Sequence, residues 1–524
     1  MPTLRVTAVL VSALAVLPAA ACSNARDTAP IDAHADAGGA DSGTGAPNGS
    51  DAKFDQLVAW AQRDLEQAHV PGAAIAIVID GKLAFARGVG VKRAGGTDAV
   101  TERTLFDINS MTKALVAAAV MQDVDQGKVN VTHPIADYVP TFKLAQPFDP
   151  RSITVRQVLS HTAGMPDDDE EKCEMGPDGL AHWWDRHTTY PLWAPPGAVW
   201  NYSNVDYSLL GLLIEKISGR AFADELTARV LRPAGMVTAT LDPAVAKAAD
   251  HAVGHSLAMD GTATSYYDPE NVVACAMVLP AGGVYASVVD FAHFAEVMLA
   301  RGKGLMTEAS AIAMQSAQAD TRTPLASYGY GLFAYEQNGQ QVIGHGGGGP
   351  GFLSDWLIVP ARNFGVVVFA NTDTYEPFHI VAHAMNLFLD LPEGAPPQAT
   401  TPPSAWDGYV GAYDDPFTFG NVTVRVDGGK LVADFKGFPA TPMRQLANDY
   451  WLADFAAQGT LGFVFWRAAP QSNAKYMVSR AGIPTRTCAG CATPHRGAAD
   501  GLARASRRHP SFHVPDQERS RASQ

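Results

Sequence analysis

Apolar residues recur at helical spacing in "FDQLVAWAQRDLEQA", residues 54–68, which predicts an opening helix. The next stretch, "PGAAIAIVIDGKLAFARGVG", reads as two strands joined at Asp80-Gly81, a strong hairpin signal. "FDINSMTKALVAAAVMQDVDQG" predicts a helix that begins near Ser110 and is ended by Gly127. An amphipathic helix follows "YSN" at 202–204, and "LTARVLRPAGM" and "VDFAHFAEVMLARG" carry further helical periodicity. "NFGVVVFANTD" reads as a buried strand and "PFHIVAHAMNLFLD" as a closing helix. Strands at both ends with helices between them predict one sheet built from the two chain ends around a helical insertion.

The pattern fails in three places. Residues 22–52 are mostly Ala, Asp, Gly and Ser with almost nothing to bury, the composition of a disordered linker. Residues 391–405 are Pro-rich and read as a second linker, which bounds a main domain at 53–390. Beyond it, "WDGYVGAYDDPFTFGNVTVRVDGGKLVADF" alternates apolar and polar positions around Gly turns, predicting a small antiparallel β domain over 406–480. The tail, 481–524, is Arg-rich with few core residues and reads as disordered.

Composition then narrows the classes. A net charge of -14 argues against nucleic acid as a partner, because phosphate binding needs clustered Lys and Arg. "MPTLRVTAVLVSALAVLPAAAC" has the layout of an export signal over 1–21, with Arg5 before an apolar run and small residues before Cys22. Two cleavages fit. Ala19 and Ala21 form an A-x-A site, whereas "AAAC" resembles a lipobox that would lipidate Cys22 and attach the chain to a membrane. The polar tether that follows favours lipidation, although the lipobox usually has Leu where Ala19 stands. Cys173 and Cys275 lie in the main domain, where an exported chain could oxidise them, and spacing alone does not pair them.

Ser110 and Lys113 stand three apart at the start of a helix, so both side chains share one face. A serine hydroxyl is a weak nucleophile that needs a base within reach, and a buried lysine with a lowered pKa is such a base. The tetrapeptide by itself also reads as an N-cap serine and a surface lysine. Tyr202 could relay a proton and Asn204 could orient the lysine or a substrate carbonyl, although "YSN" alone is also a turn and cap. His345 opens "HGGGG", whose glycines imply a close approach to that backbone. Neither HExxH nor paired His–carboxylate spacing accompanies it, so no metal is expected. "GHSLA" at 254–258 nearly matches a lipase nucleophile elbow, but Ser256 is followed by turn-like residues and His345 comes after it, the wrong order for that fold.

Together "FDINSMTK", "VLSHTAGMP", "YSNVDYSLLG", "PAGGVYASVVDFAHF", "YGYGL" and "GHGGGGPGF" resemble the serine hydrolases of the class C β-lactamase, D,D-peptidase and esterase type, over about residues 54–390. The resemblance implies an α/β fold of the β-lactamase/transpeptidase kind, an antiparallel sheet flanked by helices plus a helical subdomain. It implies an acylated Ser110, its base Lys113, a proton relay at Tyr202 and a positioning Asn204. Its third motif falls on His345-Gly346-Gly347, and its oxyanion hole on the backbone N–H of Ser110 and Gly348. His161 in "VLSHTAGMP" is then a framework residue. Trp183, Trp184 and Trp193 either line the pocket or pack in the core, and "DDDEE" at 167–171 reads as a solvated loop.

One departure bears on specificity. His345 stands where a lysine commonly meets a substrate carboxylate, and a histidine partly charged near neutrality would make anion recognition weaker and pH-dependent. The expectation is an exported, cofactor-independent serine hydrolase acting on a small-molecule or peptide acyl substrate, esterase- or peptidase-like. The alternatives are a true β-lactamase or D,D-peptidase, and a non-catalytic binding or sensor protein on the same scaffold. Sequence leaves the oligomeric state open.

Overall fold

The computed structural model describes residues 49–487 apart from 168–173, 187–189, 259–260, 270–274, 324–326, 392–401 and 456–459. The export signal, Cys22, Cys173 and the Arg-rich tail from 488 lie outside the described residues. Cys275 is disulfide-bonded. No helix among the described residues is long and apolar enough to cross a membrane.

Helix α1 (Gly49–Gln67) leads into strands β1 (Gly72–Ile79) and β2 (Lys82–Gly90). Asp80 and Gly81 both have left-handed φ, 53° and 72°, which matches the strand twist of a tight hairpin. The helical insertion contains α2 (Thr112–Asp125), α3 (Asn204–Ser218) and α4 (Val288–Leu299). The chain then returns as β3 (Ala319–Asp320), β4 (Ser327–Tyr328), β5 (Phe333–Gln337), β6 (Gln340–Gly349), β7 (Phe352–Val359), β8 (Phe364–Ala370) and helix α5 (Phe378–Leu389). The sheet runs β2-β1-β8-β7-β6-β5-β4-β3, so β1 from the start of the domain pairs with β8 from its end.

Alternation along β1 separates two cores. Ile75 and Ile77 point with Val366 and Val368 towards α1 and α5, against Leu57, Ile380 and Ala384. Ala74, Ala76 and Val78 point the other way, into the large core that holds α2, α3 and α4. "LTARVLRPAGM" departs from its expectation. Its α-helix covers Phe222–Leu226, continues as one π-helical turn over Thr227–Leu231, and stops before Pro233. Ser256 lies in a short strand, Gly254–Leu257, where its Oγ donates to Asp373, so no nucleophile elbow forms there.

After the linker, eight strands form a closed antiparallel barrel. Its final strand, Thr485–Arg486, pairs back onto Tyr413 and lies beyond the boundary the sequence pattern suggests. Aromatic rings fill the barrel, including Tyr413, Phe435, Trp451, Phe463 and Phe465. Its outer wall packs on the hydrolase domain, where Trp193 and Val199 meet Tyr450, Leu452, Val464 and Val478.

Candidate active site

Ser110 sits in a single 3-10 turn, Asn109–Met111, that feeds directly into α2. The residue before it, Asn109, has φ 48°, and the Asp107 carboxylate accepts its N–H at 3.0 Å. Helix α2 is apolar all round, "TKALVAAAVMQDVD", which is the pattern of a helix with no solvent face. Its second residue, Lys113, is consequently fully buried, an unusual place for an ammonium.

Lys113 Nζ has three partners: Ser110 Oγ at 3.0 Å, Asn204 Oδ1 at 2.8 Å and the Ala281 carbonyl at 2.7 Å. A neutral amine has two N–H groups and one lone pair. Asn204 and Ala281 can only accept, so they take the two N–H groups and leave the lone pair facing the Ser110 hydroxyl. Burial holds the Lys113 pKa well below its ordinary value, and the Arg480 charge adds to the shift against the pull of Asp167 and Asp206.

Asn204 and Tyr202 are placed by the start of α3. Ser203 is the N-cap, its Oγ accepting the Asp206 N–H at 3.3 Å, and Gly219 closes the helix in the left-handed conformation. Asn204 N–H donates to Asp167 Oδ1 at 2.8 Å. Tyr202 is buried with its ring 4.8 Å from Lys113 Nζ and 4.9 Å from Arg480 Cζ. Its hydroxyl finds no hydrogen-bond partner among the described residues, although Ser110 lies near enough to stabilise a phenolate. Burial pushes the Tyr202 pKa above the usual phenol range, so the phenol is protonated at rest.

The glycines of β6 press against the Ser110 turn. A Cβ on Gly347 would lie 2.1 Å from the Ile108 carbonyl oxygen, and one on Gly349 would lie 2.0 Å from Asn109 Oδ1. One on Gly344 would meet the Trp356 carbonyl oxygen at 2.0 Å. The close approach implied by "HGGGG" is therefore made first by the protein's own backbone. Strand β6 pairs with β5 only through Gly344, so among the described residues the edge of 345–349 away from β7 has no strand partner, and the strand packs against the turn that carries Ser110.

His345 corrects an expectation. Its ring is 1% exposed, its Nε2 lies 3.2 Å from the Tyr328 hydroxyl, and Phe333 packs at 5.2 Å. Burial lowers its pKa to about 3, and the Arg480 charge acts in the same direction. His345 is neutral near pH 7 and supplies no cation for a substrate anion.

The sequence pattern missed two charged residues. Arg480, on the barrel, ion-pairs with Asp167, the first residue of the supposed solvated "DDDEE" loop, and Asp167 is 6% exposed. Trp183 and Trp184 are core residues, and Trp193 packs under the barrel. The tryptophan that packs beside Tyr202 is Trp200. With Tyr202 and Arg480 it borders a cavity of about 110 Å³ whose far wall is barrel residues Leu446, Tyr450, Leu452 and Val478.

A half-buried serine beside a buried lysine and a buried tyrosine at the root of such a sheet defines an acyl-transferring serine hydrolase. The chain belongs to the Beta-lactamase family, whose family model matches residues 51–389, and it is a serine hydrolase of the β-lactamase/transpeptidase type. It is 31% identical over 316 residues to Penicillin-binding protein 4 of Amycolatopsis lactamdurans, covering 58% of this chain and 81% of the relative. It is 26% identical to Protein flp of Staphylococcus aureus, with 64% of this chain and 66% of that protein covered. Among solved structures, SurE with D-Leu shares the fold with a TM-score of 0.66 at 24% identity, over 83% of this chain and all of SurE. The octameric penicillin-binding protein homologue from Pyrococcus abyssi does so with 0.58 at 24% identity, over 79% and 96%.

Proposed function

We propose that this chain cleaves esters or amides through an acyl-enzyme on Ser110, and that its preferred substrates carry a carboxylate. The observation that carries the reading is Lys113 Nζ, held 3.0 Å from Ser110 Oγ by the Asn204 and Ala281 oxygens. Lys113 takes the hydroxyl proton as Ser110 attacks the carbonyl. The N–H groups of Ser110 and Gly348 receive the oxyanion, each such donor being worth about 3 kcal/mol. Tyr202 gives its proton to the leaving group and takes the one held by Lys113, which restores the amine, and water then releases the acyl group along the same path.

Arg480 supports the carboxylate. With His345 neutral, the Arg480 guanidinium is the cation that faces the cleft beside Tyr202, and Arg matches a carboxylate bidentately. The apolar barrel wall next to it favours a substrate with an apolar group near that carboxylate.

A β-lactamase or D,D-peptidase is the second reading, supported by the likeness to a penicillin-binding protein. Labelling with a fluorophosphonate and with a fluorescent penicillin separates the two. Fluorophosphonate labelling alone favours esterase-like chemistry, and stable penicillin labelling favours a peptidase. If neither reagent forms an adduct that depends on Ser110, the hydrolase reading is wrong and a binding role takes its place. The signal over 1–21 supports export, with Cys22 as lipid anchor. Fatty-acid labelling that is lost in Cys22→Ser tests the anchor, and no labelling of the parent chain refutes it.

A further inference from the structure

Tyr202 is a buried phenol whose hydroxyl finds no hydrogen-bond partner among the described residues, so its position depends on backbone anchors and ring packing. One residue supplies anchors on both sides of it. The His161 carbonyl accepts the Asn201 N–H at 2.8 Å, and His161 Nδ1 accepts the Ser203 N–H at 3.2 Å. The His161 ring also packs on the Tyr202 ring, centroid to centroid 4.5 Å. His161 is fully buried and holds a left-handed φ of 57°, the conformation that turns both its carbonyl and its ring towards the 201–203 segment.

The hydrogen bonds fix its chemical state. A backbone N–H cannot be reversed, so Nδ1 must carry the lone pair and Nε2 the proton. Asp206 Oδ2 lies 3.1 Å from the same Nδ1, in a buried pocket where burial raises its pKa well above the usual carboxylate value.

We propose that His161 is a positioning residue for Tyr202, clamping the peptide groups on either side of it so that the phenol is held towards Ser110. The proposal rests on the proton-relay role given to Tyr202 above. It makes His161 neither base nor nucleophile.

The test is a double-mutant cycle on hydrolysis of p-nitrophenyl acetate, with His161→Phe, Tyr202→Phe and the pair. His161→Phe keeps a ring but loses the Nδ1 acceptor. We expect it to lower kcat about 10- to 100-fold, within the range that a misplaced proton-transfer group costs. Added to Tyr202→Phe it should cause no further loss. His161→Asn keeps an acceptor and tolerates positive φ, so it should retain activity to within about threefold. An equal loss from His161→Phe in both backgrounds, or no loss at all, overturns the proposal. If the phenylalanine variant does not fold, a loss in His161→Asn that persists with Tyr202→Phe overturns it instead. A fully active Tyr202→Phe would remove the relay role itself and the positioning role with it, a result distinct from additivity.

Discussion

Arg480 of the barrel and Asp167 of the hydrolase domain form an ion pair beside Tyr202, although 313 positions separate them in the chain. Asp167 uses its other oxygen to accept the Asn204 N–H. The barrel is thereby coupled to the helix terminus that carries Asn204, and it places a cation where the third motif has none. Arg480→Gln should lower kcat/KM for a carboxylate-bearing ester about 10- to 100-fold, the worth of a charge-assisted hydrogen bond. The matched neutral ester should lose clearly less. Equal losses on the paired esters would show that Arg480 does not read the carboxylate.

The base must be neutral to work, and Lys113 is held well below its ordinary pKa. Activity should therefore rise with pH to a plateau, with its inflection far below the usual lysine range. Lys113→Arg, which stays charged, should lose about 10²–10⁴-fold. With its pKa lowered to about 3, His345 should add no inflection near pH 6.5. A pH–rate profile on a neutral ester checks all three statements. A limb near pH 6.5 that disappears in His345→Gln would refute the neutral assignment.

The glycines of β6 should tolerate no side chain where they meet the Ser110 turn. Gly347→Ala drives a Cβ to about 2 Å from the Ile108 carbonyl oxygen, so strand or turn must move, and Gly349→Ala drives one to about 2 Å from the Asn109 amide, which must be displaced. Both variants should melt several degrees lower by calorimetry and lose most hydrolysis. A fully stable, fully active Gly347→Ala would mean that β6 is not seated against residues 108 and 109.

The motif residues and the terminal strands were legible because short-range pattern determines them. Asp80-Gly81 forces its hairpin, and the unbroken apolar run after Lys113 announces a buried helix. Arg480 and Asp167 were not legible, because no local pattern links positions so far apart. The closing barrel strand is only two residues long, too short to show alternation. His345 looked titratable until the surrounding Tyr328 and Phe333 showed that it is enclosed. Trp200 and the other tryptophans have the same composition signal, and only packing assigns one to the cleft and the rest to cores.

Burial also sets the pH dependence of stability. Asp355, on β7 near Glu376, has its pKa raised to about 8, and Glu376 is raised to about 7. A carboxyl with a raised folded-state pKa keeps its proton when the unfolded chain has lost it, so stability falls as pH rises from about 4 to about 8 and then levels. His345 acts in the opposite sense, costing stability as pH falls from 6.5 towards 3. Asp355→Asn should flatten the decline in Tm between pH 6 and 9. An unchanged slope would show that Asp355 is solvated.

Whether Ser110 is acylated is measured most directly by intact-protein mass spectrometry after brief exposure to a p-nitrophenyl ester, with peptide mapping of the adduct. The wild-type chain should gain one acyl mass on the peptide that contains Ser110, Lys113→Arg should gain it far more slowly, and Ser110→Ala should gain none. An adduct that persists in Ser110→Ala, or turnover of the ester by that variant at the wild-type rate, would contradict the assignment of Ser110 as nucleophile.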